Sequence, residues 1–327
     1  MIFQGKTILV TGGAGSFGQK FTELILKEHD PSVVRIFDNN ELALVEMERR
    51  FADSRIRFFL GDVRDKNRLE RAMADVDIVV HAAALKHIPV CEYNPIEAVR
   101  TNIEGAVNVI DAAIDQGVPL VMNIGTDKSV QSANLYGATK MGAERLFVQG
   151  NVYGARKNVR LGSARYGNVI ASSGSVIPLF MEQRKTGEVT VTDERMTRFW
   201  ISLDEGVRFV IRCIERMHGG EVFVPKVASM KLLDLAQTIA PEAKVKIVGI
   251  RPGEKLHETL ITEEEARRTK EIDDAYVITP EFSFWKEENW KEGKQVPADF
   301  SYRSDQNSQT ITKEDMKKMV DAMGHEA

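Results

Sequence analysis

Cysteine is scarce in this chain. Only Cys91 and Cys213 occur among 327 residues, far apart and outside any CxxC pair. That excludes a disulfide framework and a cysteine zinc site, and it fits a reducing compartment. The six histidines do not fall at metal-ligand spacing, so no metal is expected. No apolar run reaches the about 18 residues that a membrane-spanning helix needs. Charge of one sign is also lacking. A net charge of -4 gives no reason to expect nucleic acid or an anionic membrane as a partner, although a locally basic pocket for a small anion is compatible with it. The first strand, Thr7-Ile8-Leu9-Val10, starts almost at the N-terminus and leaves no room for a secretion signal. Internal repeats and low-complexity linkers are absent. A cytoplasmic location is the expectation.

What is present is a regular alternation. Thr7–Thr11, Val33–Phe37, Arg57–Leu60, Ile78–Val80, Leu120–Ile124 and Arg160–Ala164 read as strands. Phe17–Glu28, Glu41–Phe51, Lys66–Met73, Ile96–Gln116 and Gly137–Gly150 read as the helices between them. Apolar strands separated by helices predict an α/β fold with a doubly wound parallel sheet of the Rossmann type. After about Tyr166 the rhythm becomes irregular. Val222–Val224 and Lys244–Val248 read as strands and Leu232–Ala240 as a helix. The stretch from Pro280 to Tyr302 has no clean period, and Thr312 with Asp315 predicts the start of a final helix, Lys313–Met323. The expected organisation is a dinucleotide-binding domain over 1–165 and a smaller, mainly substrate-binding lobe over 166–327, some of whose segments return to the first domain. The cleft between them is the expected ligand site.

Gly12, Gly15 and Gly18 follow the first strand and open the first helix together with Ser16 and Phe17. The first glycine permits a tight turn, the second lets backbone approach a pyrophosphate, and the third lets helix pack on strand. The helix N-terminus then faces the negative charge. Asp38 ends the second strand about 20 residues past the last glycine, where a carboxylate accepts hydrogen bonds from the adenosine ribose and repels a 2′-phosphate. This favours NAD over NADP. Asp38 could equally cap the next helix, as could Asn39 or Asn40. Asp62 and Val63 suit an adenine edge, and Ala82 and Ala83 allow backbone to approach the cofactor. Lys86 is placed near cofactor and substrate. A solvated loop is the plainer reading for His87.

Tyr136 and Lys140 share one helix face at i, i+4. Thr126, Asp127 and Lys128 stand just before them, at what reads as a strand end. An ammonium and a positive nicotinamide ring would lower the tyrosine from about 10 towards neutrality. Lys128, if neutral, could abstract a proton, and Asp127, if protonated, could donate one. If the Asp-Lys pair lies merely on the surface, the site lacks machinery for elimination.

These residues lie within longer matches: His81-Ala82-Ala83-Ala84-Leu85-Lys86-His87, Asn94-Pro95-Ile96-Glu97-Ala98, Thr101-Asn102, Thr126-Asp127-Lys128, Asn134 to Lys140, Arg165-Tyr166-Gly167-Asn168-Val169 and Arg195 to Trp200. With them the chain resembles the polysaccharide-biosynthesis branch of the extended short-chain dehydrogenase/reductase family. The resemblance covers nearly the whole chain. It implies an NAD(P)-dependent 4,6-dehydration of a nucleotide sugar, with UDP-N-acetylglucosamine favoured. The sequence of events is C4 oxidation, C5 deprotonation with loss of the C6 hydroxyl as water, and hydride return to C6. The Asp-Lys pair, with Tyr136 retained, implies inversion at C5. The resemblance also adds Asn102 to the cofactor contacts, and it implies a homo-oligomer, at least a dimer, built on Ile96–Gln116 and Gly137–Gly150. Two positions depart from the pattern. Asp38-Asn39 stands where Ser-Arg is frequent, and Gly125 where Ser is usual.

For the sugar nucleotide, Asn168 lies just past the sixth strand. Val176, Pro178 and Phe180 could pack around a base or simply form a buried helix start. Arg251 and Glu254 flank a turn that presents a guanidinium fork suited to a pyrophosphate, and Arg198 is a further candidate. Tyr302, Ser304 and Asn307 resemble a tail motif near the substrate. The competing readings are a nucleotide-sugar 4-epimerase, which needs Tyr136 but no Asp-Lys pair, a dehydratase for another nucleotide sugar, and a catalytically silent dinucleotide sensor.

Overall fold

In the computed structural model the described residues are 2–170, 175–281 and 287–323. The first half alternates strands β1 (Thr7–Thr11), β2 (Val33–Asp38), β3 (Ile56–Leu60), β4 (Ile78–His81), β5 (Leu120–Ile124) and β6 (Arg160–Ala164) with helices. Those helices are α1 (Ser16–Glu28), α2 (Glu41–Phe51), α3 (Lys66–Met73), α4 (Ile88–Tyr93), α5 (Pro95–Val99), α6 (Gly105–Gln116) and α7 (Leu135–Gln149). The six strands run parallel in the order β3-β2-β1-β4-β5-β6, which reverses between β1 and β4. Ligands of open α/β sheets bind at that reversal, outside the carboxyl ends of the strands.

Why the strands read as unbroken apolar runs is plain from their burial. Along β1, Ile8 and Val10 enter one core while Leu9 enters the other. The same alternation holds for Ile78 and Val80 against Val79, and for Leu120 and Met122 against Val121. Side chains alternate across a strand, so two buried faces demand apolar residues at every position.

The chain from 166 onward contributes to two places. Val222–Pro225 joins β6 in parallel, and Ala275–Ile278, Thr269–Glu271 and Lys294–Gln295 extend the same sheet antiparallel to ten strands. The remaining segments build small sheets and a separate core around Ile177, Phe180, Trp200 and Leu235. Residues 282–286, within the aperiodic Pro280–Tyr302 stretch, lie outside the described residues. Just after them Trp290 is buried and donates to Glu221 Oε1 at 3.1 Å.

The helix expected over Ile96–Gln116 is interrupted. Between α5 and α6, Arg100–Glu104 forms one wide π-turn. Such turns frequently mark functional sites. Here it faces Asn102 inward, where the side chain accepts from Leu85 N at 2.8 Å and donates to Leu85 O at 2.9 Å and Thr139 Oγ1 at 3.0 Å. The loop after β4 is thereby tied to α7.

A buried ion triad fixes α7 to the end of β6. Arg165 Nη2 meets Glu144 Oε1 at 2.5 Å and Glu265 Oε1 at 2.9 Å, and Nη1 donates to the Leu260 carbonyl at 2.7 Å. Removing one member of such a group leaves uncompensated buried charge. Arg165→Met is expected to lower unfolding free energy by about 3–5 kcal/mol, measured by urea denaturation. Replacing Glu144 and Glu265 by Leu in the same chain should recover most of the loss. An Arg165→Met protein as stable as wild type would show that the triad holds nothing.

Candidate active site

A cleft of about 610 Å³ opens at the strand reversal. Gly12 adopts φ 65°, and a β-carbon there would lie 2.7 Å from Ala83 N, so the loops after β1 and β4 touch through backbone alone. Gly15 caps α1 with no side-chain bond and no acidic residue in the first turn, so no side-chain charge offsets the positive end of the helix at the cleft. Gly18 lies outside the cleft lining. A β-carbon on it would collide with the Gly13 backbone, so it packs helix against loop.

The carboxylate expected at the ribose is pre-set. Asp38 Oδ2 accepts from Ala14 N at 3.1 Å and Oδ1 from Asn40 N at 3.0 Å. The helix-capping alternative falls to Asn40, whose Oδ1 accepts from Ala43 N at 3.1 Å. Asn39 donates to Asp62 Oδ2 at 3.2 Å. Burial would raise the Asp62 carboxyl, but hydrogen bonds from Arg64 and Asn39 outweigh it and hold it low. Ser16, Phe17, Val63, Ala82, Ala83 and Lys86 line the same wall, and so does His87. A glycine turn that admits no side chain, an uncapped helix end and a placed carboxylate together fit a nicotinamide dinucleotide.

The same cleft is lined by Thr126, Lys128, Tyr136 and Lys140. Thr126 begins a short 3₁₀ turn, Asp127–Ser129, directly after β5. That turn abuts α7, where a β-carbon on Gly137 would strike Lys128 O. Asn134 caps α7 by accepting from Gly137 N at 2.8 Å, which brings Tyr136 and Lys140 to the cleft on the first turns. Asp127 is fully buried beneath the cleft surface. Its Oδ1 accepts from Thr126 Oγ1 at 3.1 Å and Lys128 Nζ at 3.0 Å, while Oδ2 has no hydrogen bond among the described residues. Asn168 Oδ1 accepts from the same Lys128 ammonium at 2.9 Å.

Two electrostatic expectations change. Tyr136 is not lowered in the protein alone. Burial pushes it up, opposed by the Lys128 charge and a hydrogen bond with Thr126, so the cation facing the phenol is Lys128. Lys128 in turn is raised. Burial would depress it, but Asp127 and Glu258 prevail, and Lys128 rests as an ammonium. Lys140 behaves oppositely. Burial lowers it to about 8, with Glu144 opposing weakly, because that carboxylate is committed to Arg165. Beside it His81 bonds Thr11 Oγ1 at 2.8 Å and is driven to about 3 by burial and by Lys140, hence neutral.

Several expected contacts lie elsewhere. Asn102 spends its amide on Leu85 and Thr139 and does not line the cleft. Val176 does line it, but Pro178 is exposed away from it and Phe180 is a core residue, so the buried-helix reading holds for Phe180. Arg198 is buried, and its Nη2 and Nη1 donate to the carbonyls of Lys255, Thr197 and Leu256, leaving no fork for a phosphate. Arg251 and Glu254 sit on an exposed turn outside the cleft lining. The tail residues are structural. Tyr302 and Asn307 bond the Val227 backbone, and Ser304 bonds Thr197 and Glu258. Phe37, Tyr166 and Leu203 line the cleft and were not anticipated. Tyr166 stood inside a quoted motif, but Leu203 carries no sequence signal.

A family model described as polysaccharide biosynthesis protein matches residues 8–280. The chain belongs to this family. Among curated members, a UDP-N-acetylglucosamine 4,6-dehydratase (inverting) of Campylobacter jejuni is 46% identical over 99% of each chain. A UDP-glucose 4-epimerase of Rickettsia canadensis is 37% identical, covering 85% of this chain and 84% of its own. The solved structure of Pen from Bacillus thuringiensis superposes with a TM-score of 0.91 at 37% identity over 99% of both chains. The chain thus matches the Campylobacter jejuni dehydratase over nearly its whole length and the Rickettsia canadensis epimerase over most of it. Among its described residues no helix is long and apolar enough to cross a membrane.

The depressed lysine has a thermodynamic sign. Below about 8 both folded and unfolded chains carry the Lys140 ammonium and its burial cost is fully present; the cost fades as pH rises from about 8 towards 10.5. Lys140→Met is expected to abolish turnover yet raise stability near neutral pH by about 2–3 kcal/mol. The gain should shrink in alkaline solution. Denaturant titrations across pH check this, and a destabilised variant would contradict it.

Proposed function

We propose that the protein is a UDP-N-acetylglucosamine 4,6-dehydratase that inverts C5. The observation that carries this reading is the Asp127–Lys128 pair, in which a buried Asp127 backs a Lys128 that lines the cleft beside Tyr136. A 4-epimerase needs Tyr136 and a dinucleotide but has no use for an acid–amine pair, and a sensor has no use for either.

When bound, the nicotinamide dinucleotide supplies a reversible hydride acceptor. Everything else falls to side chains. Gly12, Gly15, Ser16 and the α1 N-terminus cradle the pyrophosphate, and Lys140 holds ribose hydroxyls with an ammonium that no acid monopolises. Tyr136 Oη takes the proton from the sugar O4 as C4 becomes a ketone, which acidifies the C5 proton. Lys128 Nζ takes that proton. Asp127 protonates the departing C6 oxygen, which leaves as water.

These last roles require a neutral amine and a protonated acid, the tautomer of the resting ion pair. One proton moving from Lys128 Nζ to Asp127 along their 3.0 Å contact produces it without changing the charge of the pair. Burial disfavours separated charges and so lessens the cost of that shift. After elimination the pair is again ammonium and carboxylate. The C6 carbon becomes a methyl, and C5 takes a proton on the opposite face, balanced by release of the proton that Tyr136 Oη gained from O4, which restores the phenolate.

The Asp38 carboxylate favours NAD over NADP. Residues 166–327 act mainly as the substrate lobe, with Asn168 and Val176 at the cleft. The exposed turn bearing Arg251 and Glu254 would serve the nucleotide end once substrate is bound. Exposed Tyr93, Ile96 and Met141 on α4, α5 and α7 support association with a second copy.

Incubating the enzyme with UDP-N-acetylglucosamine in deuterated water, followed by proton NMR, is expected to convert the C6 hydroxymethyl to a methyl beside a deuterated C5. A C4 epimer that keeps its hydroxymethyl would favour the epimerase instead. Lys128→Ala should stop C5 exchange, and turnover like wild type would remove Lys128 from the mechanism. Calorimetric titration should find NAD bound at least about tenfold more tightly than NADP, or about 1.4 kcal/mol; equal affinity would count against the role given to Asp38.

A further inference from the structure

The turn that carries Arg251 and Glu254 touches both halves of the catalytic constellation. Its next residue, Lys255, is largely buried and reaches the end of the catalytic 3₁₀ turn. Lys255 Nζ donates to Val130 O at 2.9 Å and Asp127 O at 3.4 Å, and pairs with Glu258 Oε2 at 2.8 Å. Two of these contacts are hydrogen bonds to main-chain carbonyls at the end of the short helix, where Asp127 O also accepts from Val130 N at 3.1 Å, and the third is an ion pair. On the other side Gly253 O accepts from Asn134 Nδ2 at 2.8 Å, and Asn134 caps α7 through Gly137 N. The strand residue Arg198 holds the clamp from behind, donating to Lys255 O at 2.9 Å and Leu256 O at 3.2 Å.

We propose that Lys255 is a positioning residue. It holds the Asp127–Lys128 turn in register with Tyr136 on α7, while Gly253 grips α7 itself. Its ammonium bonds the protein's own carbonyls and it lies outside the cleft lining, so it acts through the turn. The assignment rests on the reading of Asp127, Lys128 and Tyr136 as the reacting groups. The position of Lys128 Nζ depends on the path of the backbone from Thr126 to Val130, and Lys255 fastens two carbonyls of that path from a distant part of the chain. Tyr136 and Lys140 have a second support in their helix. Loss of Lys255 thus affects elimination more than C4 oxidation.

The test is Lys255→Met in the holoenzyme, which keeps the stem and removes the donors. With UDP-N-acetylglucosamine, kcat is expected to fall about tenfold to a hundredfold, as for a misplaced reacting group, with KM within about twofold. In deuterated water, C5 exchange should fall by the same factor while reduction of bound cofactor on mixing with substrate is nearly unchanged. Lys255→Arg, which restores donors, should recover most of the loss. A raised KM at constant kcat, wild-type turnover, or equal loss of oxidation and exchange would each overturn the assignment. If Lys255→Met does not fold, Lys255→Gln decides. It keeps a polar stem too short to hold both carbonyls, and must lower kcat and C5 exchange at constant KM. Unchanged kinetics there would reject the clamp. Failure of the underlying catalytic reading shows separately, as C5 exchange that persists in Lys128→Ala.

Discussion

An ammonium and a carboxylate 3.0 Å apart, one fully buried and the other at the cleft wall, set the terms for the rest of this site. Burying two charges costs several kcal/mol per ion unless geometry and extra hydrogen bonds compensate. The fold supplies those bonds from two separate places in the chain, Thr126 at the end of β5 and Asn168 past β6. Lys255, from the far lobe, holds the main-chain carbonyl of Asp127. A pair maintained at such cost by so many partners is a poor way to stabilise a protein and a good way to hold two proton-transfer groups without solvent between them.

The same logic explains the contrast between the two lysines. Lys128 is surrounded by acceptors and keeps its charge. Lys140 lies one helical turn beyond Tyr136 with its nearest acid diverted to Arg165, and burial depresses it. One cation is committed to the protein and the other is left for a ligand. Two residues of identical type are thus given different work by what their neighbouring carboxylates are already doing.

The sheet was legible in the sequence because its signals are local. Strand, glycine turn and helix follow one another in order, and a strand buried on both faces declares itself as an apolar run. The gathering of Thr126, Lys128, Tyr136 and Lys140 at one cleft was legible for a similar reason, since all lie within fifteen positions on one strand end and one helix. The substrate side was not. Arg198 looks the same in sequence whether its guanidinium meets a phosphate or three main-chain carbonyls, and two of those carbonyls lie almost sixty residues away. Phe180 could equally have faced a base or a core. The tail residues Tyr302 and Ser304 owe their roles to pairing across about a hundred residues, with Val227 and Thr197 not visible as partners beforehand. The protonation state of Lys128 depends on the same long-range assembly.

The wide turn at Arg100–Glu104 bears on how such a site could have arisen. A π-turn amounts to one residue added to an otherwise regular helix. Deleting that residue would heal the helix and swing everything on one side of it by about 100° about the axis, carrying Asn102 away from the loop after β4. Exchange of one amino acid for another cannot reproduce that change. The wall of the cleft is therefore adjusted by chain length, and relatives that differ here by a single insertion could differ in the shape of their pocket while keeping every side chain that does chemistry.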